Sequence, residues 1–177
     1  MVETKTADAP LTIRHSAMVA AAGEYYVLAR LSLLGKIAAQ APRGVPNADI
    51  VVSSMDGDRL CAIQVKTRSG IGADGGWHMK EKHEKIQSTK LFYAFVDFGR
   101  PDEPHPVTYI VPSAIVAEAL GTMHAAWLAK PGIKGQKHND SAMRRFMPDY
   151  SRTSGEGVQH YVAGWLDIYR EAWALLP

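Results

Sequence analysis

Four polar residues of types that bind metal ions or anions lie in or beside segments otherwise typical of a buried core: Glu24, Asp49, Gln64 and Lys66. Within "AIQVKT", the alternation of a β-strand puts Gln64 and Lys66 on one face and the apolar residues between them on the other. Carboxylate and amide oxygens are ligands that suit a hard divalent ion such as Mg²⁺ or Mn²⁺. These residue types therefore predict a metal site, provided that the fold brings them together.

A β-hairpin is the element expected to join Asp49 to the "QVK" strand. An Asp-Gly pair between two apolar runs predicts antiparallel pairing of residues 50–55 with 59–67. If Asp-Gly is the two-residue loop, Asp49 lies opposite Gln64, and if the following Gly-Asp is the loop, Asp49 lies opposite Lys66. Both registers put the three side chains on one face, whereas a three-residue loop without a bulge would move Asp49 to the other face.

Glu24 is expected on a helix that Ser16 can cap and that ends near Gly35. The apolar stripe predicted for this helix consists of Ala20, Val27, Leu28, Leu31 and Leu34. Glu24 falls inside that stripe, where a carboxylate needs a partner. The alternatives are an ion pair with Arg30 or with a strand lysine, and a role in the metal site.

The remaining pattern predicts a mixed α/β fold. Strands are expected at "KIAAQ", at the central "LFYAFVDF" and at "VTYIV", and helices in the second half of "WHMKEKHEKIQSTK" and at "AIVAEALGTMHAAWLA", with Ser113 as the cap of the latter. The segment "KPGIKGQKHNDSAMRRF" is predicted as a surface loop and "VQHYVAGWLDIYREAWALL" as a closing helix. On that helix Trp165, Tyr169 and Trp173 would face the core or a homodimer partner.

Composition narrows the class of protein without identifying a ligand. The 177 residues, with 46% hydrophobic and 21% charged side chains, predict one globular domain over residues 1–177. A net charge of +2 decides nothing about nucleic acid. Cys61 is the single cysteine, and one cysteine cannot form an internal disulfide or a multi-cysteine zinc site. Its place in a strand predicts that it lies in the core. Without a signal-peptide or membrane-span pattern, we expect a cytoplasmic protein.

Residues 16–98 resemble the PD-(D/E)xK, or restriction-endonuclease-like, nucleases. In that family the core runs helix, three strands, helix, strand, here followed by residues 99–177 with a further strand, helices and a basic loop. Glu24 matches the acid of the first helix, Asp49 in "PNADI" matches the motif Asp, and "QVK" matches the (D/E)xK strand. Gln64 departs from the usual carboxylate, and "IQVKT" is similar to the variant found in certain intron-associated homing endonucleases.

The resemblance implies a metal-dependent endonuclease that hydrolyses DNA phosphodiester bonds. Asp49, Gln64, the carbonyl of Val65 and Glu24 would hold Mg²⁺ or Mn²⁺, and Lys66 would position the attacking water. An uncharged Gln64 lowers the attraction for a divalent ion. The alternative is a catalytically inactive module of the same fold that binds nucleic acid or a protein partner.

Basic residues outside the motif are candidates for contacts with the DNA backbone. They are His78, Lys80, Lys134, Lys137, Arg144 and Arg145. A solvated loop is the alternative for the last four, and a packing or surface role is the alternative for His78.

Overall fold

The structure, a computed structural model, describes residues 16–70, 75–99, 103 and 105–177. Helices and strands follow in the order α1 (Ser16–Leu33), β1 (Ile37–Gln40), β2 (Ile50–Ser53), β3 (Leu60–Arg68), β4 (Trp77–Lys80), β5 (Leu91–Asp97), β6 (Val107–Pro112), α2 (Ser113–Ala129) and β7 (Met143–Phe146). Short 3₁₀ helices occupy Glu81–Glu84, Val158–Tyr161, Asp167–Tyr169 and Trp173–Leu175. The predicted mixed α/β class is confirmed.

A mixed sheet of order β1-β2-β3-β5-β6 forms the centre of the molecule. Its pairs are antiparallel except for β3 and β5, which run parallel. The strand β5 lies in the interior of the sheet and is buried at every residue except Phe92, as expected for a run that is apolar on both faces. None of the helices in the described residues is long and apolar enough to span a membrane.

Two apolar clusters cover the two faces of this sheet. On the α2 face, Tyr93 and Phe95 of β5 pack with α2, β4 and β7. On the α1 face, Ile63 and Val65 of β3 pack with α1 and with the buried Cys61. Because side chains alternate along a strand, β3 directs Gln64 and Lys66 away from the α1 cluster.

The apolar stripe of α1 agrees with the predicted one only in its C-terminal half. Val27 and Leu31 are buried and Leu28 is partly buried, as predicted, but Ala20 and Leu34 are exposed and Val19 and Gly23 are buried in the N-terminal half instead. The stripe follows from the close approach of the helix to β3 at Gly23, which leaves no room for a larger side chain. Glu24 therefore lies beside the stripe and is half-buried.

The prediction of a helix in the second half of "WHMKEKHEKIQSTK" is wrong. That part of the chain contains only the single 3₁₀ turn Glu81–Glu84, preceded by β4. In β4, buried Trp77 and Met79 alternate with exposed His78 and Lys80, and the strand pairs with β7. This distant partner lies inside the segment that was predicted as a surface loop.

The prediction of a C-terminal helix is also wrong, because this segment forms three short 3₁₀ turns. Positive φ angles at Gly164 (φ 90°) and Glu171 (φ 50°) interrupt any helix. Trp165 and Tyr169 are partly buried against the α2 cluster and Trp173 is buried in the α1 cluster, so the three aromatic residues contact the core but not from one helical face.

The predicted helix after β6 is confirmed as α2, whereas its predicted cap is not. Ser113 is the first residue of α2 and does not cap it with its side chain. Its Oγ instead donates to the carbonyl of Ser88 at 2.9 Å and accepts from the N–H of Ser88 at 2.8 Å. The hydroxyl thus ties the start of α2 to the chain that enters β5.

Candidate active site

The β2–β3 hairpin has the first of the two predicted registers. Ile50 pairs with Ile63, and the N–H of Asp49 donates to the carbonyl of Ile63 at 2.9 Å, which puts Asp49 beside Gln64. The loop is wider than two residues, since ladder pairing ends at Ser53 and Leu60. Register and proximity therefore agree with the sequence, although the turn does not.

Asp49 links the two strands at the point where β2 begins. Its Oδ2 accepts a hydrogen bond from the N–H of Val65 at 2.7 Å and another from Nε2 of Gln64. The N–H and C=O of one strand residue point to the same side, so the carbonyl of Val65 is also directed toward the β2 side, beyond the ladder. A carboxylate, an amide and a main-chain carbonyl are thus collected in one place.

Glu24 lies at the same end of the sheet. Gln40 donates a long hydrogen bond of 3.5 Å to its Oε2. Burial raises the pKa of Glu24, and the neighbouring Asp49 raises it further, while Gln40, Arg43 and Lys66 oppose the shift. The alternative ion pair with Arg30 is not formed, because Arg30 binds Glu171 at 3.0 Å.

Lys66 completes the group of four predicted side chains. Burial lowers its pKa, Lys82 and Lys80 lower it further, and Asp49 and Glu24 oppose this shift. Its ammonium makes no hydrogen bond with any residue that the structure describes. An ammonium that is partly desolvated and not hydrogen-bonded in this way is available to a ligand.

A buried pair that the sequence did not predict lies next to Lys66. Nδ1 of His83 is 2.7 Å from the hydroxyl of Tyr93, which neighbours Gln64 in the parallel β3–β5 register. Burial raises the pKa of Tyr93, and burial together with Lys66 and two further lysines lowers that of His83 to about 4. The protonated hydroxyl of Tyr93 therefore donates a hydrogen bond to Nδ1 of a neutral His83. A tyrosine in a buried strand needs a partner, but nothing local in the sequence selects His83 over His78.

The donor set suits a divalent ion with few protein ligands. Within the described ranges, no three His, Cys, Asp or Glu side chains converge on one point. Two neighbouring carboxylates, Glu24 and Asp49, are nevertheless present, and their mutual repulsion is the kind that a cation relieves. Mg²⁺ is commonly bound through one or two carboxylates with water and substrate oxygens, so these residues fit such an ion. Gln64 presents its nitrogen to Asp49 in this arrangement.

The candidate DNA-contacting residues lie on both faces of the β4–β7 pair and in the connection that precedes β7. His78, Lys80 and Arg145 lie on its exposed face, and His78 and Arg145 also line a groove of about 320 Å³ beside α2. Arg144 points the other way, is buried and pairs with Glu84. Its predicted surface role is therefore corrected to a structural one. Lys134 and Lys137 are exposed in the connection from α2 to β7.

Comparisons with known proteins found a similarity to one solved structure. No family model and no curated protein matches the chain. Among solved structures, the chain is similar to a bacterial homing endonuclease, I-Ssp6803I, with 12% sequence identity and a TM-score of 0.48 over 90% of this chain and 91% of that one. The case for any function therefore depends on the residues of the chain itself.

Proposed function

We propose that the protein is a metal-dependent endonuclease that hydrolyses DNA phosphodiester bonds. The observation that supports this is the convergence of two carboxylates and a partly buried lysine, from three separate elements, at one end of the β2–β3 pair. Two acids for a divalent ion and an ammonium for an anion are the parts that metal-assisted hydrolysis requires. The DNA substrate follows from the resemblance to PD-(D/E)xK nucleases.

In this proposal Asp49 and Glu24 hold Mg²⁺ or Mn²⁺, with neutral oxygens from Val65 and Gln64. When bound, the ion stabilises negative charge that develops on the phosphate and acidifies a bound water. Asp49 is positioned for this role by the N–H of Val65, and Glu24 by the packing of α1. Lys66 orients the attacking water, because its ammonium is partly desolvated and therefore interacts strongly with an anionic oxygen.

The second candidate is a catalytically inactive module of this fold that binds nucleic acid or a protein partner. Gln64 favours it, because its amide nitrogen already satisfies Asp49 and contributes no negative charge. Substituting Gln64→Glu distinguishes the candidates. If the wild-type protein does not cut DNA and Gln64→Glu acquires Mn²⁺-dependent cutting, the inactive module is the correct description.

The test of the first candidate is cleavage of supercoiled plasmid and of single-stranded DNA with Mg²⁺ or Mn²⁺. Asp49→Asn and Lys66→Met should each lower the rate by at least roughly 100-fold, because each removes a group that acts on the transition state. Glu156→Gln and Lys90→Met are matched controls, since both change an exposed charge elsewhere. Cutting by Asp49→Asn at the wild-type rate would exclude this site as the source of activity.

A further inference from the structure

The 3₁₀ turn beside the candidate active site is held on both sides. The N–H of Glu81 donates to the carbonyl of Ala142 at 2.9 Å, His83 is bound to Tyr93, and Glu84 accepts from Arg144. These contacts bury one side of the turn and leave Lys82, together with Lys80 before it, exposed. The backbone that carries the two lysines is therefore fixed before any ligand arrives.

Lys82 is directed toward the loop that precedes Asp49. Its Nζ donates to Oδ1 of Asn47 at 2.8 Å, and Asn47 is two residues before Asp49. Asn47 itself has a positive φ of 61°, a conformation that asparagine tolerates better than most residues. This contact fixes the Lys82 ammonium at the edge of the site.

Positive charge exceeds negative charge around Lys66. The charged groups that act on it are Asp49, Glu24, Lys80 and Lys82. Counting Lys66 itself, three ammonium groups face two carboxylates. Lys80 forms no ion pair with any residue that the structure describes.

Two nearby acids, Glu84 and Asp140, do not restore the balance because they have other partners, and the exposed Glu81, between Lys80 and Lys82 in the chain, is not among the charges that act on Lys66. Glu84 is paired with Arg144, and Asp140 accepts from His124 at 2.7 Å. Like charges held close together are unfavourable unless an anion binds between them. An oxygen-rich anion is therefore a ligand whose charge suits this edge of the site.

We propose that Lys80 and Lys82 form a second anion subsite, which binds a phosphate of the DNA strand next to the phosphate held at Asp49 and Lys66. The ligand class rests on the proposed function, and the subsite deepens it by assigning a contact outside the reacting group. The subsite binds DNA without a divalent ion, since ammonium groups bind phosphate directly and release its condensed counterions. Asn47 orients Lys82 in this subsite and does not itself contact the DNA.

The test is equilibrium binding of a short fluorescein-labelled DNA duplex in EDTA, followed by anisotropy over a series of salt concentrations. Lys80→Ala and Lys82→Ala should each weaken binding by roughly fivefold and reduce the slope of log K against log salt by about 0.9, because each removes one phosphate contact. Lys82→Arg should retain the wild-type slope. Lys90→Ala is the matched control, since it removes an exposed lysine just before β5, at the end of that strand opposite Lys66.

The outcomes separate the subsite from catalysis. Wild-type affinity and salt slope in both Lys80→Ala and Lys82→Ala would overturn the subsite, as would a wild-type protein that binds the duplex only after Mg²⁺ is added. A protein that cuts nothing, but loses affinity in these two variants and not in Lys90→Ala, retains the subsite while the proposed nuclease activity fails. Thermal unfolding of each variant checks that the fold is intact.

Discussion

Gln64 and Asp49 are joined by a hydrogen bond that a glutamate at position 64 would not make. The amide nitrogen of Gln64 donates to the same Asp49 oxygen that accepts from the N–H of Val65. A carboxylate in its place would set two negative groups against each other unless a cation or a proton intervened. Gln64 therefore lets this end of β3 fold without metal, and it leaves Asp49 and Glu24 as the acids available to an ion.

At the residue scale, His83 makes a testable contribution to stability. Its pKa falls from 6.5 to about 4 on folding, so the unfolded chain binds more protons between these values. The stability contributed by neutral His83 is fully present above pH 6.5 and is lost as the pH falls toward 4. Gln at position 83 cannot titrate but can still hydrogen-bond Tyr93. On acidification, we therefore expect the wild-type protein to lose more stability than His83→Gln, by up to about 1 kcal/mol per pH unit.

The measurement for His83 is urea unfolding of both proteins at several values between about pH 5 and about pH 7. The difference between the two proteins isolates this residue, because the carboxylates that titrate in the same range are common to both. Parallel stability curves for the wild-type protein and His83→Gln would contradict the prediction.

At the scale of elements, the contact between α1 and β3 determines where Glu24 lies. A Cβ built on Gly23 would lie 1.8 Å from Oγ1 of Thr67, so the helix can pack this closely only because position 23 has no side chain. Glu24 is the next residue along the helix and is carried to the site by the same contact. The size of one residue in the helix thus controls the position of a candidate metal ligand.

Gly23→Ala and Gly121→Ala form a matched pair that tests this contact. Both glycines are inside helices, but nothing lies within 4 Å of a Cβ built on Gly121. We expect Gly121→Ala to stabilise the protein by about 1 kcal/mol through helix propensity. Gly23→Ala should instead destabilise it by about 1–3 kcal/mol, because α1 must move away from Thr67. Urea unfolding measures both, and equal stabilisation by the two substitutions would show that α1 does not touch β3 here.

At the scale of the whole molecule, the candidate site exists only when distant parts of the chain are packed together. Glu24 comes from α1, Asp49 from the residue before β2 and Lys66 from β3. The C-terminal segment holds α1 to the sheet from the other direction, since Glu171 accepts from Arg30 at 3.0 Å and from the N–H of Thr108 at 2.8 Å. Unfolding therefore separates the two acids, and an ion that binds both must stabilise the folded state.

This coupling predicts a thermal shift with metal. At a Mn²⁺ concentration of about ten times the dissociation constant, folding should gain about 1.4 kcal/mol, which corresponds to roughly 4 °C in Tm for a chain of this size. Asp49→Asn should abolish the shift, whereas Glu156→Gln, which removes an exposed carboxylate elsewhere, should retain it. Differential scanning fluorimetry measures the effect, and a shift of equal size in Asp49→Asn would assign the ion to another site.

The local pattern of the sequence determined the polar face of the "QVK" strand, the placing of Asp49 on that face, the helical state of residues 16–33 and the central place of "LFYAFVDF", whereas the structure selected between the two possible registers. Side-chain alternation and hairpin pairing depend on neighbours within a few residues, so they leave a readable signal. Only the tertiary structure decided that residues 77–80 form a strand with 143–146, that the C-terminal segment is not one helix, and that Lys82 and His83 border the site. These features depend on partners far away in the chain, and no periodicity within a segment records which distant surface will satisfy its hydrogen bonds and cover its apolar side chains.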